Sequence, residues 1–344
     1  MGLFWSMLTL NSDVPGRMLE QPISKPYHTT VSLYRGGFLN ISNMQWSHDP
    51  EGAAVKCQLT RRYLHPDVAR YEVNVDGIIG TLFLPPGDGP FPTVIDIFGI
   101  ASIIESRAAL LASHGFASFA LAYTNFKGLP KIENRLDFNY FLKAFDWLES
   151  QPFVKPGGLG GVALCSGAGY LSLIASFRRQ LKWMVLINSA WFPLGKTQKV
   201  EGETIKSMMF MIERLHQIDT KYLSMKELWL PFDDISVSKG WQNGAKILYL
   251  NGEDDQCVNP RYSTMFQRKI PFEFQENVSS VIYPGAGHLI DPPYCPMCRY
   301  ATKGPFGTHL LWGGEAKPHA DAQEDSWKRT LKFLKKHMCP QDQT

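Results

Sequence analysis

Long apolar runs are missing from this chain. The longest, around Leu181–Ile187, is the size of a buried strand and well short of the ~20 residues a membrane-crossing helix needs. Charge is scarce and balanced: 35 Lys and Arg stand against 32 Asp and Glu in 344 residues, a net charge of +3. With no basic run beyond a few residues, the electrostatic footprint of a nucleic-acid binder is absent. Cysteine is sparse as well. Cys57, Cys165, Cys257, Cys295, Cys298 and Cys339 are too few for the disulfide framework of a secreted domain, and they read as reduced thiols. Cys295-Pro296-Met297-Cys298 has the spacing of half a zinc site, but no second pair follows, so no metal is expected. Internal repeats and low-complexity tracts are absent too. At the N-terminus, Met1-Gly2-Leu3-Phe4-Trp5-Ser6 lacks the basic start of a secretory signal. It matches a myristoylation pattern in its letters only, and the bulky Phe4 and Trp5 read as strand. The last residues, Asp342-Gln343-Thr344, are not a Ser-Lys-Leu type peroxisomal address, and a cytoplasmic protein is expected. What is abundant is core-forming material: 44% hydrophobic against 19% charged residues makes a globular chain.

Two regimes divide the sequence. Residues 1–75 carry short β-rich runs (Thr29–Tyr34, Val55–Leu59, Tyr71–Val75) separated by Gly36-Gly37, Ser47–Gly52 and Pro66. Three or four strands are too few to close a sandwich, so a partial β-sandwich domain is expected there. From residue 76 to 344 strands alternate with helices. Strands are expected at Gly80–Leu84, Thr93–Phe98, Phe116–Tyr123, Leu159–Leu164, Trp183–Ile187, Ala245–Leu250 and Ser279–Tyr283. Helices are expected at Ile103–Ser113 and Gly167–Phe177. Phe138, Phe141, Leu142, Phe145 and Leu148 mark one helix face, and Trp327, Leu331, Leu334 and Met338 another. Such alternation predicts an α/β domain with a mostly parallel sheet covered by helices on both faces. Residues 195–244 break the pattern and are expected to form a helical excursion over the sheet.

Chemistry concentrates in Gly161-Val162-Ala163-Leu164-Cys165-Ser166-Gly167-Ala168-Gly169, an apolar strand running through small residues into a helix. That is the layout of a nucleophile elbow, whose turn needs small residues two before and two after the nucleophile. Cys165 has Ala163 and Gly167 in those places; Ser166 would have Leu164 and Ala168, so the sterics favour Cys165. An acidic loop with Asp254 and Asp255 follows strand Ala245–Leu250, and Pro284-Gly285-Ala286-Gly287-His288 follows strand Ser279–Tyr283. Nucleophile, acid and histidine then come in the order of elbow enzymes, each at a strand's carboxyl end. A thiol needs a base at neutral pH, which His288 supplies, while a carboxylate orients the imidazole. Oxyanion donors are expected from the Ser166 N–H and from the loop after strand Thr93–Phe98, at Gly99 and Ile100.

With these residues in view, the chain resembles the bile acid-CoA:amino acid N-acyltransferase and type I acyl-CoA thioesterase family over essentially its whole length. The matching stretches are Met1–Ser6, Leu110–Ala117, Leu121-Ala122-Tyr123, Pro284–Ile290 with Pro292-Pro293-Tyr294, Trp312-Gly313-Gly314-Glu315, and His319-Ala320 with Ala322-Gln323. The resemblance implies an N-terminal β-sandwich, a C-terminal α/β-hydrolase domain and a triad at Cys165, Asp255 and His288. It is the family alignment that selects Asp255 over Asp254. It also implies an acyl-CoA substrate and no separate cofactor. Cysteine at the elbow resembles the amino-acid-conjugating members, whereas thioesterase members carry serine. Transfer of a fatty or bile acyl group to glycine or taurine is therefore expected, with hydrolysis as a side reaction. A thioesterase and a weakly active acyl-CoA-binding relative are the alternatives, and the resemblance also leaves a peroxisomal location open. Two departures stand out: the family's sandwich is longer, and Gly99-Ile100-Ala101-Ser102 replaces its run of glycines.

Overall fold

The computed structural model describes residues 2–7, 22–34, 53–99, 103–131, 136–189, 197–207, 209–230, 239–301 and 308–339. The chain starts with a short helix α1 (Gly2–Trp5) rather than a strand. Phe4 is buried there, with the Arg61 guanidinium 4.3 Å above its ring. Strands β1 (Tyr27–Tyr34) and β2 (Ala53–Arg61) pair antiparallel as a separate two-stranded sheet.

Strand β3 (Ala69–Val75) belongs elsewhere. It pairs with β4 (Ile78–Leu84) through a two-residue turn, Asp76-Gly77, with φ of 50° and 80°. That left-handed pair matches the twist of the strands it joins. The main sheet therefore begins at Ala69, ahead of the expected domain boundary between 75 and 76.

Along the chain there follow β5 (Thr93–Ile97), α2 (Ser106–Ala112), β6 (Ala117–Leu121), α3 (Phe138–Glu149), β7 (Leu159–Leu164), α4 (Ser166–Phe177) and β8 (Leu181–Ile187). Strands β5, β6 and β7 are buried along their whole length, as parallel strands covered on both faces must be. Helix α3 starts where the Asp137 carboxylate accepts the Asn139 N–H, and its apolar stripe turns inward, with Phe141 stacked 4.5 Å from Tyr170.

The stretch from 195 to 244 is not the expected helical excursion. Its described residues form short strands β9 (Gln198–Val200), β10 (Glu203–Ile205), β11 (Met209–Phe210), β12 (His216–Gln217), β13 (Tyr222–Ser224) and β14 (Trp229–Leu230), with two single 3-10 turns. Glu201-Gly202, both at positive φ, close β9 onto β10 as a tight hairpin that no helix could contain. After it come β15 (Lys246–Gly252), α5 (Arg261–Gln267), β16 (Val278–Tyr283), β17 (Tyr300–Ala301), β18 (His309–Leu311) and α6 (Ala316–Met338).

The main sheet has eight strands in the order β16-β15-β8-β7-β5-β6-β4-β3. Strands β16 through β6 in that order run parallel; β4 and β3 are antiparallel to their neighbours. Helix α6 lies so close to β7 that a Cβ on Gly160 would meet Met338 Sδ at 2.7 Å. The parallel strands thus end together at one rim, and the loops that leave them there carry the chemistry.

Candidate active site

Cys165 sits between β7 and α4 with φ 58° and ψ −130°, a conformation that costs an ordinary residue about 1–3 kcal/mol. The surroundings enforce it. Cys165 N–H donates to the Ile187 carbonyl of β8 at 3.0 Å, and the helix begins at once with Ala168 N–H on the Cys165 carbonyl. Gly167 is required because a Cβ there would lie 2.4 Å from the Phe98 carbonyl oxygen and 2.5 Å from that of Ile97. The Ser166 side chain points away from the turn: its hydroxyl meets the Tyr123 hydroxyl at 3.1 Å, and Tyr123 donates to the Phe98 carbonyl at 2.8 Å. Of the two elbow candidates, only the cysteine occupies the strained position.

The acid and the histidine come from β15 and β16. The Asp255 Oδ2 and His288 Nδ1 lie 2.7 Å apart, both residues almost fully buried. Asp255 Oδ1 accepts the N–H groups of Cys257 and Val258 at 2.7 and 2.8 Å, so the carboxylate is held by its own loop. Asp254 faces the other way, accepting from Gln256 Nε2 and from the Gly314 N–H, both at 2.7 Å. The His288 ring stacks on Trp312, and the His288 backbone N–H donates to the Trp312 carbonyl at 2.7 Å.

Electrostatics tie the thiol to the ring. The Cys165 thiol is pulled below its ordinary range, first by a hydrogen bond from Cys257 and then by His288, against burial and Asp255. Burial disfavours the His288 imidazolium, but Asp255 and the Cys165 thiolate outweigh it, and the ring is more basic than free histidine. A thiolate–imidazolium pair is the arrangement these shifts describe.

Of the expected oxyanion donors, Ser166 opens helix α4 and Gly99 lies against the elbow; a Cβ on Gly99 would be 3.0 Å from Cys165 Cβ and 3.5 Å from Sγ. Ile100 lies outside the described residues.

Three contributors escaped the sequence reading. Cys257 is a buried free thiol whose Sγ, with the Cys165 Sγ and a His288 ring nitrogen, forms a cluster within 4.8 Å. Its place two residues beyond Asp255 was the available signal. Asn188, at the end of β8 with φ 45°, donates to the carbonyls of His288 (2.5 Å) and Gly287 (3.2 Å) and accepts from Gly252 N–H (2.6 Å). It ties the acid strand to the histidine loop. His319 of α6 accepts from the Gly287 N–H at 3.1 Å through Nδ1 and donates from Nε2 to the Leu289 carbonyl at 2.8 Å.

The fold and this rim define a hydrolase-like α/β protein, and comparison with known proteins agrees. A dienelactone hydrolase-like promiscuous phosphotriesterase from metagenomic libraries superposes with a TM-score of 0.51 at 16% identity, covering 78% of this chain and 98% of that one. The family described as BAAT/acyl-CoA thioester hydrolase C terminal matches residues 136–340. The chain is 35% identical to human bile acid-CoA:amino acid N-acyltransferase over 99% of its own length and 81% of the relative's. It is 32% identical to human mitochondrial acyl-coenzyme A thioesterase 2, over 98% of this chain and 69% of that protein. Mouse peroxisomal succinyl-coenzyme A thioesterase matches at 31%, over 98% and 79%. The chain belongs to this family of acyltransferases and acyl-CoA thioesterases. No helix among the described residues is long and apolar enough to cross a membrane.

Proposed function

We propose that this protein is an acyl-CoA enzyme that forms an acyl thioester on Cys165 and passes the acyl group to a small amino acid such as glycine or taurine. The observation that carries the reading is a cysteine, not a serine, at the strained turn, with His288 and Asp255 in line behind it. The Cys165 thiolate attacks the thioester carbonyl, forming a C–S bond, while the oxyanion is held by the Ser166 N–H and the backbone at Gly99. Collapse of the tetrahedral intermediate expels the CoA thiolate, which takes the proton from the His288 imidazolium. The neutral His288 then accepts a proton from the incoming amine as it attacks, and the Cys165 thiolate leaves. Asp255 holds the imidazole in the tautomer this needs. A thioester acyl-enzyme favours amines over water more than an oxygen ester does, so a cysteine elbow suits transfer and hydrolysis remains a side reaction. CoA is part of the substrate, and no further cofactor enters.

The test is product analysis of acyl-CoA turnover at millimolar glycine or taurine, with mass spectrometry for the acyl-enzyme. The expected result is an N-acyl amino acid and an acyl adduct on Cys165 that Cys165→Ala abolishes. Free acid alone, unchanged by either amine, makes the protein a thioesterase. An adduct surviving in Cys165→Ala removes the elbow assignment, and absence of any turnover favours an acyl-CoA-binding role.

A further inference from the structure

Cys257 makes and breaks no bond in the proposed acyl transfer, yet the fold places its thiol beside the nucleophile. Three features of this cluster fit a metal. The three donor atoms, two sulfurs and an imidazole nitrogen, lie within 4.8 Å of one another, and all three residues are buried. Tetrahedral zinc with bonds of about 2.3 Å to sulfur and 2.0–2.1 Å to nitrogen spaces such donors about 3.5–3.8 Å apart, so shifts of no more than about 1 Å close the site. His288 Nδ1 is engaged by Asp255 Oδ2 at 2.7 Å, which leaves Nε2 on the cysteine side. A carboxylate behind a ligating imidazole is the arrangement that orients histidine at zinc sites. Asp255 also holds the Cys257 N–H at 2.7 Å, so one carboxylate positions two of the three donors.

We propose that Cys165 Sγ, Cys257 Sγ and His288 Nε2 form a three-ligand site for a thiophilic divalent cation, zinc above all, which occludes the nucleophile. Two thiolates and an imidazole are a donor set that selects zinc over magnesium or calcium, and a water molecule completes the tetrahedron. Binding requires both cysteines as thiolates and His288 as the neutral imidazole, so the cation displaces whatever protons these three groups carry. The sulfur lone pair that would attack a thioester is then held by the metal. The site departs from the expectation of no metal, which weighed only the Cys295–Cys298 spacing. Binding is independent of the acyl-transfer reading; occlusion rests on it.

The experiment titrates the reduced full chain with Zn2+ against a chromogenic chelator. One tight equivalent is expected, weakened about tenfold or more in Cys257→Ser and about 10–100-fold in Asp255→Asn. With Co2+ as the probe, the thiolate-to-metal charge-transfer band should lose roughly half its intensity when either cysteine is replaced, since one of two thiolates goes. Should these variants not fold, the wild-type chain still decides: bound zinc should protect Cys165 and Cys257 together from iodoacetamide, read by peptide mass spectrometry. No tight equivalent, or one that leaves both thiols alkylatable and ignores Cys257→Ser, overturns the site. In the latter case the metal sits elsewhere, as at Cys295 and Cys298. Zinc bound at these ligands with acyl-CoA turnover undiminished overturns the occlusion.

Discussion

Two adjacent aspartates, Asp254 and Asp255, are chemically identical and end up with different work. Backbone direction decides it: Asp255 turns inward to His288 and the N–H groups of its own loop, while Asp254 caps the Gly314 N–H. If His288 is the base of acyl transfer, Asp255→Asn leaves it in the wrong tautomer and should lower kcat by about 10⁴-fold. Asp254→Asn removes a charge-assisted bond to a buried loop and should cost about 1–3 kcal/mol of stability with a far smaller effect on kcat. Steady-state kinetics with urea unfolding of both variants separates the two; a larger kcat loss at Asp254 would reverse the assignment.

At the scale of elements, the site is a set of strand ends locked by a loop and a helix from the far end of the chain. Gly313, at φ 76°, fits where a Cβ would lie 1.9 Å from the Asp254 carbonyl oxygen. Helix α6 delivers His319 against Gly287 and Leu289, bracing the loop that carries His288. Burial, only partly offset by the Leu289 carbonyl, pushes the His319 pKa down to about 4 from 6.5. The unfolded chain therefore binds a proton that the folded chain refuses. Stability is full above about pH 6.5 and falls as pH drops toward 4, by about 3 kcal/mol from this group. The measurement is urea unfolding of wild type and His319→Gln at several pH values. Their difference should shrink across that window, and a difference constant with pH would remove His319 from the account.

For the molecule as a whole, apolar burial holds the eight-stranded sheet, and a buried ion triad is set within it. Arg107 of α2 is buried between Asp96 of β5 and Asp291 beyond the histidine loop, with its Nη1 2.7 Å from Asp291 Oδ2 and its Nη2 on Asp96. This ion triad joins strand β5, just ahead of the loop at Gly99, to the chain after His288. Removing one partner strands two buried carboxylates, so Arg107→Met should cost about 3–5 kcal/mol in urea unfolding. Replacing Asp96 and Asp291 by asparagine in the same chain should recover part of the loss. A near-neutral single variant would show that the triad does not hold the sheet.

The sequence by itself determined the periodicity of the main sheet and its helices, because strands buried on both faces and helices with one apolar stripe write their period into the residues. It also marked the elbow, because a sharp strand-to-helix turn tolerates only small neighbours, as Gly167 shows, and it placed an acid and a histidine at later strand ends. Residues 195–244 were misread because their short hairpins take direction from tight turns such as Glu201-Gly202, which carry no helical or strand period. The change of composition near residue 75 falls at the Asp76-Gly77 turn, through which β3 and β4 pair in one sheet. Only the tertiary structure could tell Asp255 from Asp254 on physical grounds, bring Asn188 and His319 behind the histidine loop, and set the Cys257 thiol beside Cys165. Those relations join residues far apart in the chain through the convergence of parallel strands at one rim, a property of the sheet that no local stretch encodes.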